Sequence, residues 1–430
     1  MSVKDLTYVF IGKAARVFVF GLVSVMTPIY VDALGYSRFY VTLVIAAMVA
    51  GNVFSNVVLT RYESYVGHKR FLLLFSALMF ASGIILYLTV SLPLMVLGCF
   101  LGNISTTGTE AGPFQSIETG ILPNLVSDEK RNRAFGIYNM IGYGASSLGA
   151  FAASTPSYFE NSLMVFRSLF LVYGLVGALL FLLYLNLRGA NQAHGEERRG
   201  LSDISPEGRR DITRLSVLFS IDAFGGGFVS QPLLSYWFFL VYNLSLESLG
   251  ILFLLVNIIT AFSTLGASYL ADRLGNLRTM VYTHLLSSLF LVLIPFAGSF
   301  PGSAALLLLR QSVSQMDVPT RQGLMSEVFP DRERVSAIAI TNTFRSVSGF
   351  PAVPITGVLL SIPLVSAQLV VGGSAKILYD LLIYRGYRKR VSRGGHKPSK
   401  TRKIPRPSSS EDEESPSGSS QPSPPPPSAL

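Results

Sequence analysis

Long runs of apolar residues separated by short polar stretches fill most of the first 385 residues. A helix needs about 20 mostly apolar residues to cross a bilayer. The first run contains Lys13 and Arg16 and lacks a small-residue cleavage site, so it is not a cleavable signal peptide. The pattern predicts an all-α membrane protein with twelve transmembrane helices, called spans 1 to 12 below. They lie at 7–31, 39–60, 71–90, 93–117, 134–154, 164–187, 215–241, 248–270, 279–299, 303–326, 336–360 and 362–384.

The distribution of Lys and Arg between the loops predicts the orientation. If the N-terminus lies in the cytoplasm, 27 of the 35 basic residues are cytoplasmic and six lie within spans. The other two, Arg38 and Arg167, lie at the outer ends of spans 2 and 6 and are counted with the outer side. Because cytoplasmic loops carry an excess of Lys and Arg, we expect a multi-pass protein of the cell membrane with both termini cytoplasmic. The net charge of +10 then needs no nucleic-acid partner.

Two polar stretches divide the chain. The predicted organisation is an N-terminal six-helix bundle (1–187), a cytoplasmic linker (188–213), a C-terminal six-helix bundle (214–385) and a disordered cytoplasmic tail (386–430). The tail is basic, then acidic, then rich in Ser and Pro, a composition that cannot bury a core. Its basic part either contacts anionic membrane lipid or is only a cytoplasmic flank.

The two halves show weak internal similarity. Gly21–Ser24 in span 1 matches Gly227–Ser230 in span 7 at an offset of 206, and Gly67 matches Gly275 at an offset of 208. The ordered matches and nearly constant offset predict a duplicated six-helix unit, which in transporters places the substrate between the halves. Further matches at an offset of 203 are Asp128 with Asp331, Arg131 with Arg334 and Asn139 with Asn342.

The loop after span 8 contains Leu270-Ala-Asp272-Arg273-Leu-Gly275 and ends in Arg278. It resembles the loop pattern G-x-L-A-D-R-x-G-R-K of the major facilitator superfamily, with Ser268 in place of the first glycine. The N-terminal loop keeps the glycine but lacks the acid. The resemblance covers residues 1–385 and implies two pseudo-symmetric halves whose spans 1, 4, 7 and 10 line a central cavity. It also implies a gate formed by Asp272, Arg273, Gly275, Arg131 and Arg133.

Charged residues inside the spans are the candidate functional residues, because a charge at mid-bilayer costs about 2.5–3.5 kcal/mol on insertion scales. The spans contain eleven charged residues, and eight of them belong to spans 1, 4, 7 and 10. This distribution agrees with the cavity that the resemblance implies. We assign substrate or coupling roles to Arg16, Glu110, Asp222, Arg310, Asp317, Arg321 and Lys13.

Alternatives stay open for several of these charges. Lys13 lies near a membrane surface, where its side chain can reach water, and Glu118 and Arg345 fit a structural role as well as a functional one. Lys376 and Asp380 are four residues apart near the end of span 12 and are expected to pair at the membrane surface.

Two spatial predictions follow from the spacing, and a third follows from the family resemblance. Arg16 and Asp222 coincide at the repeat offset of 206, which predicts a pair of opposite charges facing each other across the cavity. Arg310, Asp317 and Arg321 have spacings of seven and four, which predicts a single helical face. Asp272 is expected beside Arg131 or Arg133 at the start of span 5.

The composition excludes most soluble and enzymatic functions. Only 14% of the residues are charged, there is one Cys, and the four His form no metal-binding motif. We therefore expect no enzyme, no cofactor and no metal. The favoured function is a monomeric secondary transporter for a small organic solute, with coupling to protons left open. The alternative is a membrane receptor or scaffold that uses a transporter fold without transport. Anionic and amphiphilic solutes both remain candidate substrates.

Overall fold

The computed structural model describes residues 3–105, 112–127, 131–159, 162–187, 204–362 and 364–394. Its regular structure over these ranges is helical. Glu110, most of the predicted linker and the tail beyond residue 394 lie outside the described residues. The α-helices of the described residues are α1 (Val3–Ala33), α2 (Arg38–Val66), α3 (His68–Leu88), α4 (Leu92–Leu101), α5 (Pro113–Leu125), α6 (Arg131–Ala152), α7 (Ser162–Leu185), α8 (Pro206–Gly227), α9 (Gln231–Tyr242), α10 (Leu246–Leu274), α11 (Asn276–Leu293), α12 (Phe300–Ser314), α13 (Asp317–Val328), α14 (Asp331–Ser348), α15 (Ala352–Ser361) and α16 (Ala367–Gly394).

These helices form the twelve predicted spans, because four of the spans consist of two helices each. Spans 4, 7, 10 and 11 correspond to α4–α5, α8–α9, α12–α13 and α14–α15. Proline lies in the first turn after each break, where its missing N–H costs nothing: Pro113, Pro232, Pro319 and Pro354. Seven helical segments of the described chain are long and apolar enough to cross a membrane. The predicted all-α membrane fold is therefore confirmed.

Two predicted domain limits differ from the structure. α8 begins at Pro206, inside the predicted linker, because Ser205 caps the helix by accepting a 3.0 Å hydrogen bond from the amide of Gly208. α16 continues to Gly394, so the prediction of a disordered tail from residue 386 is wrong for 386–394. Hydropathy detects only the part of a helix that lies in lipid, and these charged ends extend beyond it.

The internal duplication is visible in the backbone. Gly67 joins α2 to α3 with φ 84° and ψ 152°, and Gly275 joins α10 to α11 with φ 82° and ψ 157°. A side chain is strained at such positive φ values, so both repeats need glycine at the same turn. Ser91 and Ser299 likewise begin α4 and α12 in equivalent places.

Glycine also allows very close helix packing. A Cβ at Gly149 of α6 would collide with the carbonyl oxygen of Phe18 in α1. In the C-terminal half, a Cβ at Gly225 of α8 would lie 2.7 Å from the carbonyl oxygen of Gly372 in α16. A Cβ at Gly227 would collide with the carbonyl oxygen of Gly349, which follows α14. The Gly225–Gly227 triplet is therefore a site of close helix contact.

The two halves contact each other where α1 ends and α9 and α10 begin, which we call the closed end. Gln231 Nε2 donates to Ser24 Oγ at 2.8 Å, and Ser235 Oγ donates to the carbonyl of Val25 at 3.1 Å. Tyr236 donates its hydroxyl proton to Asp32 at 2.6 Å. α6 packs on α10 and α2 packs on α15 between the halves. The opposite end, where α2 and α10 end, is called the open end below.

Candidate functional site

A cavity of about 810 Å³ lies between α8 and α14. It extends from Arg209, near the open end, to Pro351 after α14. Most of the wall is apolar, and hydroxyl groups of α8 and α14 supply its polar positions. The apolar side chains are Ile212, Val217, Ile221, Phe224, Ile340 and Phe344, and the hydroxyls belong to Thr213, Ser216, Ser220 and Ser348. Such a wall suits a solute with substantial apolar surface.

A fully buried ion pair lies in the N-terminal half. Arg16 of α1 donates from Nη1 to Glu118 Oε1 at 3.0 Å and from Nη2 to Oε2 at 2.6 Å. Both residues are 0% exposed. Two parallel hydrogen bonds between a guanidinium and a carboxylate give a strong and well-oriented pair. This pair joins span 1 to span 4.

Aromatic residues surround the Arg16–Glu118 pair. The Tyr184 hydroxyl accepts a 2.7 Å hydrogen bond from Arg16 and donates one of 2.6 Å to Glu118. Tyr138 donates to the other carboxylate oxygen at 2.7 Å. Lys13 Nζ lies 4.2 Å from the centre of the Tyr138 ring. Since Lys13 is only 3% exposed, it does not extend into water as one alternative suggested, and the whole group is part of the bundle interior.

In the C-terminal half, several cations converge on a single carboxylate, Asp222 of α8. Lys376 Nζ lies 2.7 Å from Oδ1, and Arg345 Nη2 lies 3.0 Å from Oδ2. Arg321 Nη1 lies 3.9 Å from Oδ2. Asp222 is 2% exposed, so it needs such partners to remain ionised in the bundle. Its helix neighbours Ser220 and Ile221 line the cavity, which places this cluster directly behind the cavity wall.

His284 of α11 connects Asp222 to a second carboxylate, Asp380 of α16. Its Nδ1 lies 2.9 Å from both oxygens of Asp380. Its Nε2 lies 3.3 Å from Asp222 Oδ1 and 3.3 Å from Lys376 Nζ. Asp380 is 0% exposed and His284 4% exposed. The predicted surface pairing of Lys376 with Asp380 is therefore wrong, since both residues belong to this buried cluster.

Two of the three charged residues of span 10 form an ion pair with each other. Arg321 Nη1 lies 2.8 Å from Oδ2 of Asp317, one helical turn earlier, and forms the ion pair that the spacing predicts. Arg310 lies in α12, beyond the break before α13, and donates to Gln311 at 2.7 Å. The two-residue break between these helices lies between Arg310 and the Asp317–Arg321 pair, so the placement of Arg310 on their face stays a prediction. Within the described residues, no ion pair joins Arg310 to an acid.

The predicted pair between Arg16 and Asp222 is also wrong. Each residue is neutralised within its own half, Arg16 by Glu118 and Asp222 by Lys376 and Arg345. The offset of 203, found in the loop after span 4 and in span 5, equates Glu118 with Arg321 when it is extended back to residue 118. The two halves thus carry equivalent charge pairs with the signs exchanged.

Three residues of this cluster lie close enough together to be considered as metal ligands. The ligand atoms of Asp222, His284 and Asp317 lie within 4.8 Å of one another, which suits a divalent cation in distance. However, the cationic groups of Lys376, Arg345 and Arg321 already neutralise the two carboxylates. A metal ion would have to displace them while buried beside their charge. The donor set therefore does not fit a resident metal.

The predicted gating residues lie at the open end. Asp272, Arg273 and Gly275 are exposed where α10 ends, and Arg133 is exposed at the start of α6. Arg273 stacks over Tyr269 at 4.4 Å. In the described residues Asp272 and Arg133 form no ion pair with each other, and the side chain of Arg131 is not described. The expected contact between Asp272 and Arg133 is therefore not made in this conformation, and the contact with Arg131 stays a prediction.

The family model of the Major Facilitator Superfamily matches residues 9–353 of the chain. The protein belongs to this superfamily. The match covers nearly all of the N-terminal half and the C-terminal half as far as the start of α15, and so includes Arg16, Glu118, Asp222 and Arg345. The resemblance inferred from the loop after span 8 is therefore confirmed, and so is the fold of two six-helix halves.

Relatives in sequence and structure agree with this membership. The uncharacterized membrane protein YJR124C of Saccharomyces cerevisiae is 23% identical over 417 residues, covering 88% of this chain and 93% of the yeast protein. The nucleoside transporter NupG has a TM-score of 0.69 at 12% identity, with 89% of this chain and 99% of NupG covered. A D-xylose–proton symporter has a TM-score of 0.67 at 15% identity, with 89% and 96% covered.

Membership in the superfamily gives the general activity. The protein is a multi-pass membrane transporter, and small-molecule solutes are what such transporters move across the membrane. Its structural neighbours are similar at 12–15% identity, a level that supports the fold and carries no information on substrate. The substrate class therefore has to be inferred from the chemistry of this chain's own cavity and charge clusters.

Proposed function

We propose that the protein is a secondary active transporter that moves a small organic solute by alternating access. The observation that supports this proposal is the uneven contact between the halves. Hydrogen bonds join them at the closed end, while the 810 Å³ cavity toward the other end is lined by residues of the C-terminal half alone. A rocking motion that exchanges the two ends would expose a site between the halves to each side in turn.

The charge distribution supports an orientation for this conformation. With 27 of 35 basic residues assigned to one side, both termini lie in the cytoplasm of a cell-membrane protein. α2 and α10 then end on the cytoplasmic side, and the closed end faces outward. The cavity therefore opens inward in this structure.

The inner gate is assigned to the residues of the loop after span 8 and the start of span 5. Asp272 is an exposed carboxylate at the end of α10, and Arg133 is an exposed cation near the start of α6. In the outward-facing conformation these elements approach each other, and a carboxylate there gains from both the arginines and the helix amino end. Gly275 maintains the turn, while Arg131 and Arg273 provide further positive charge.

The buried charges have separate roles in this proposal. Arg16 and Lys13 stabilise the N-terminal half, whereas Asp222, Asp317 and Arg321 belong to the coupling cluster behind the cavity. Arg310 is assigned to the substrate path, because its Nε has no hydrogen-bond partner in the described part of the chain. Glu110 keeps its sequence-based assignment to that path.

A thermal-shift screen of the purified protein tests the function, because a ligand that binds only the folded state raises the unfolding temperature. The panel contains neutral sugars, nucleosides, organic anions and amphiphilic drugs, each added alone. Ser348→Trp fills the cavity and should abolish the shift, whereas Ser346→Trp on the exposed face of α14 should retain it. Hits are then loaded into proteoliposomes to measure flux.

The flux measurement separates the two functions considered from the sequence. Uptake against a concentration gradient, driven by an imposed ion gradient, supports secondary active transport. A hit that binds in the cavity, requires Ser348 to be small and yet never crosses the membrane would instead identify a receptor with a transporter fold.

A further inference from the structure

The imidazole of His284 occupies an unusual position for a residue of span 9. It is 4% exposed and lies among the charged groups of α8, α13 and α16. Its ring makes contacts through both nitrogens, with Asp380 on one side and with Lys376 and Asp222 on the other. The Tyr379 ring packs edge-on at 5.6 Å between centroids. A histidine held in this way has a defined orientation for proton exchange.

The contact with Asp380 fixes one of the two ring protons. Both oxygens of Asp380 lie 2.9 Å from Nδ1, and an ionised carboxylate only accepts hydrogen bonds. Nδ1 therefore carries a proton that it donates to Asp380. The remaining nitrogen, Nε2, has either a free lone pair or a second proton.

Nε2 faces two groups that require opposite states of this nitrogen. It lies 3.3 Å from Lys376 Nζ, a donor, and 3.3 Å from Asp222 Oδ1, an acceptor. Lys376 and Asp222 are themselves 2.7 Å apart. Neutral Nε2 accepts from Lys376, whereas protonated Nε2 donates to Asp222 and repels the ammonium.

We propose that His284 is the proton-binding residue of this transporter and that its proton competes with the Lys376 ammonium for the Asp222 carboxylate. The step adds one proton from water to the Nε2 lone pair and breaks no covalent bond. The proposal rests on the proposed transport function and names its coupling ion and the site that binds it.

The charge balance of the cluster supports this assignment. Three acids and three bases share the site, so the cluster is neutral when His284 is neutral and carries one positive charge when His284 is protonated. A buried net charge is costly, and it favours a rearrangement that moves one cation away. The members are Asp222 on α8, Asp317 and Arg321 on α13, Arg345 on α14, and Lys376 and Asp380 on α16.

The other helices packed against α11 contribute charges elsewhere. On α10, Asp272 and Arg273 are exposed at the open end. On α12, Arg310 donates to Gln311. The competition at Asp222 is thus determined by the cluster itself.

The structure provides space for Lys376 to move. Its side chain runs beside Gly225 and Gly226 of α8, and a Cβ built at Gly226 would lie 3.8 Å from Nζ. The missing side chains leave the ammonium a path along the helix surface. Lys376 also has a side-chain exposure of 12%, which offers a route for water to the site.

A short covalent path connects this site to the closed end. Asp222 lies in α8, which ends at Gly227, and α9 begins three residues later at Gln231. α9 carries Gln231, Ser235 and Tyr236, which bond to α1 across the halves. Displacement of Lys376 removes a tie between α8 and α16, and the resulting shift of α8 acts directly on these contacts.

The test measures distances between spin labels at both ends as a function of pH, in a Cys99→Ser background. Labels at Leu182 and Leu274 report the open end, and labels at Phe159 and Phe296 report the closed end; all four side chains are exposed. Protonation should change the open-end distance and the closed-end distance in opposite directions. We expect the ratio of the two conformations to change about tenfold between pH 5.5 and 8.5, a typical coupling between sites.

His284→Gln should abolish this pH response, whereas His68→Gln, a matched change at a histidine bound to Glu63 in the other half, should retain it. Asp380→Asn keeps the imidazole but removes its anionic partner, and should move the midpoint of the response to lower pH. This second variant decides the matter if His284→Gln does not fold.

The outcomes distinguish the two levels of the proposal. A response that persists in His284→Gln, an unchanged midpoint in Asp380→Asn, or a wild type that alternates between the two states without any pH dependence would overturn the assignment of His284. If the distances at the two ends never change in opposite directions under any pH or hit from the solute screen, alternating access itself is contradicted.

Discussion

Arg16 and Glu118 form a bidentate ion pair with hydrogen bonds of 3.0 and 2.6 Å, and neither residue is exposed to solvent. The repeat equates these positions with Asp222 and Arg321, which lie 3.9 Å apart in the C-terminal half. The first pair is enclosed by two tyrosine hydroxyls. The second shares its carboxylate with Lys376, Arg345 and His284. One pair is suited to holding its half together, and the other to exchanging partners.

Arg16→Gln should lower the free energy of unfolding by about 3–5 kcal/mol, because it leaves the Glu118 carboxylate buried without its partner. The double variant Arg16→Gln/Glu118→Gln should lose markedly less. Arg61→Gln, at an exposed position of α2, is the control and should change little. Thermal or chemical unfolding in detergent gives the comparison. If the double variant is as unstable as the single one, the stability does not come from the pair.

Asp222→Asn should destabilise the C-terminal half, since Lys376 and Arg345 then lie near each other with less negative charge between them. Adding Lys376→Met should restore part of the lost unfolding temperature. Transport of a hit from the solute screen should be lost in both variants, because neither retains the competition at Asp222. Full transport by Asp222→Asn would remove this residue from the coupling cluster.

Gly149→Ala should disrupt packing between α6 and α1, because the added Cβ would collide with the carbonyl oxygen of Phe18. The matched control is Gly144→Ala on the same helix, where a Cβ meets nothing within 4 Å. Alanine is the better helix former by about 1 kcal/mol, so the control should be neutral or slightly stabilising. Equal unfolding temperatures for the two variants would argue against this close contact.

Tyr236→Phe should weaken the closed end, because it removes the 2.6 Å hydrogen bond to Asp32 across the halves. A hydrogen bond to a charged group contributes about 1.5–3 kcal/mol, which corresponds to at least a tenfold change between the two conformations. The spin-label distance between Phe159 and Phe296 measures it. Tyr282→Phe is the control, because the Tyr282 hydroxyl contacts Tyr384 in the same half, and it should leave that distance unchanged.

The sequence predicted the fold well, because hydropathy and loop charge follow directly from the needs of a bilayer. Twelve runs of suitable length correspond to the described helices, and the duplication appears again in the matching turns at Gly67 and Gly275. The prediction failed where a helix extends beyond lipid, as at Pro206 and Gly394. Hydropathy has no signal for such charged ends.

The sequence predicted several residues of the candidate site but not how they pair. Asp222, Asp317 and Arg321 were identified because charges in spans are costly, but their partners depend on helix rotation and on breaks. The break before Asp317 places it and Arg310 in different helices, and the spacing of the charges does not reveal this break. His284 was missed because it lies on an outer span. The alignment of Glu118 with Arg321 was available in the sequence and would have indicated the pairing within each half.

The exchange of charge between the halves has a consequence for how the chain assembles during its synthesis. After a gene duplication, each helix of one half finds a near-copy of its proper neighbours in the other half. Were span 1 to insert in the place of span 7, Arg16 would replace the Asp222 carboxylate beside Arg321, Arg345 and Lys376. The cluster would then hold four cations against the two remaining acids, Asp317 and Asp380. Like charges buried together are strongly unfavourable, which is a form of discrimination against wrong partners. Reversed polarity thus lets each newly inserted helix distinguish its own half from the copy.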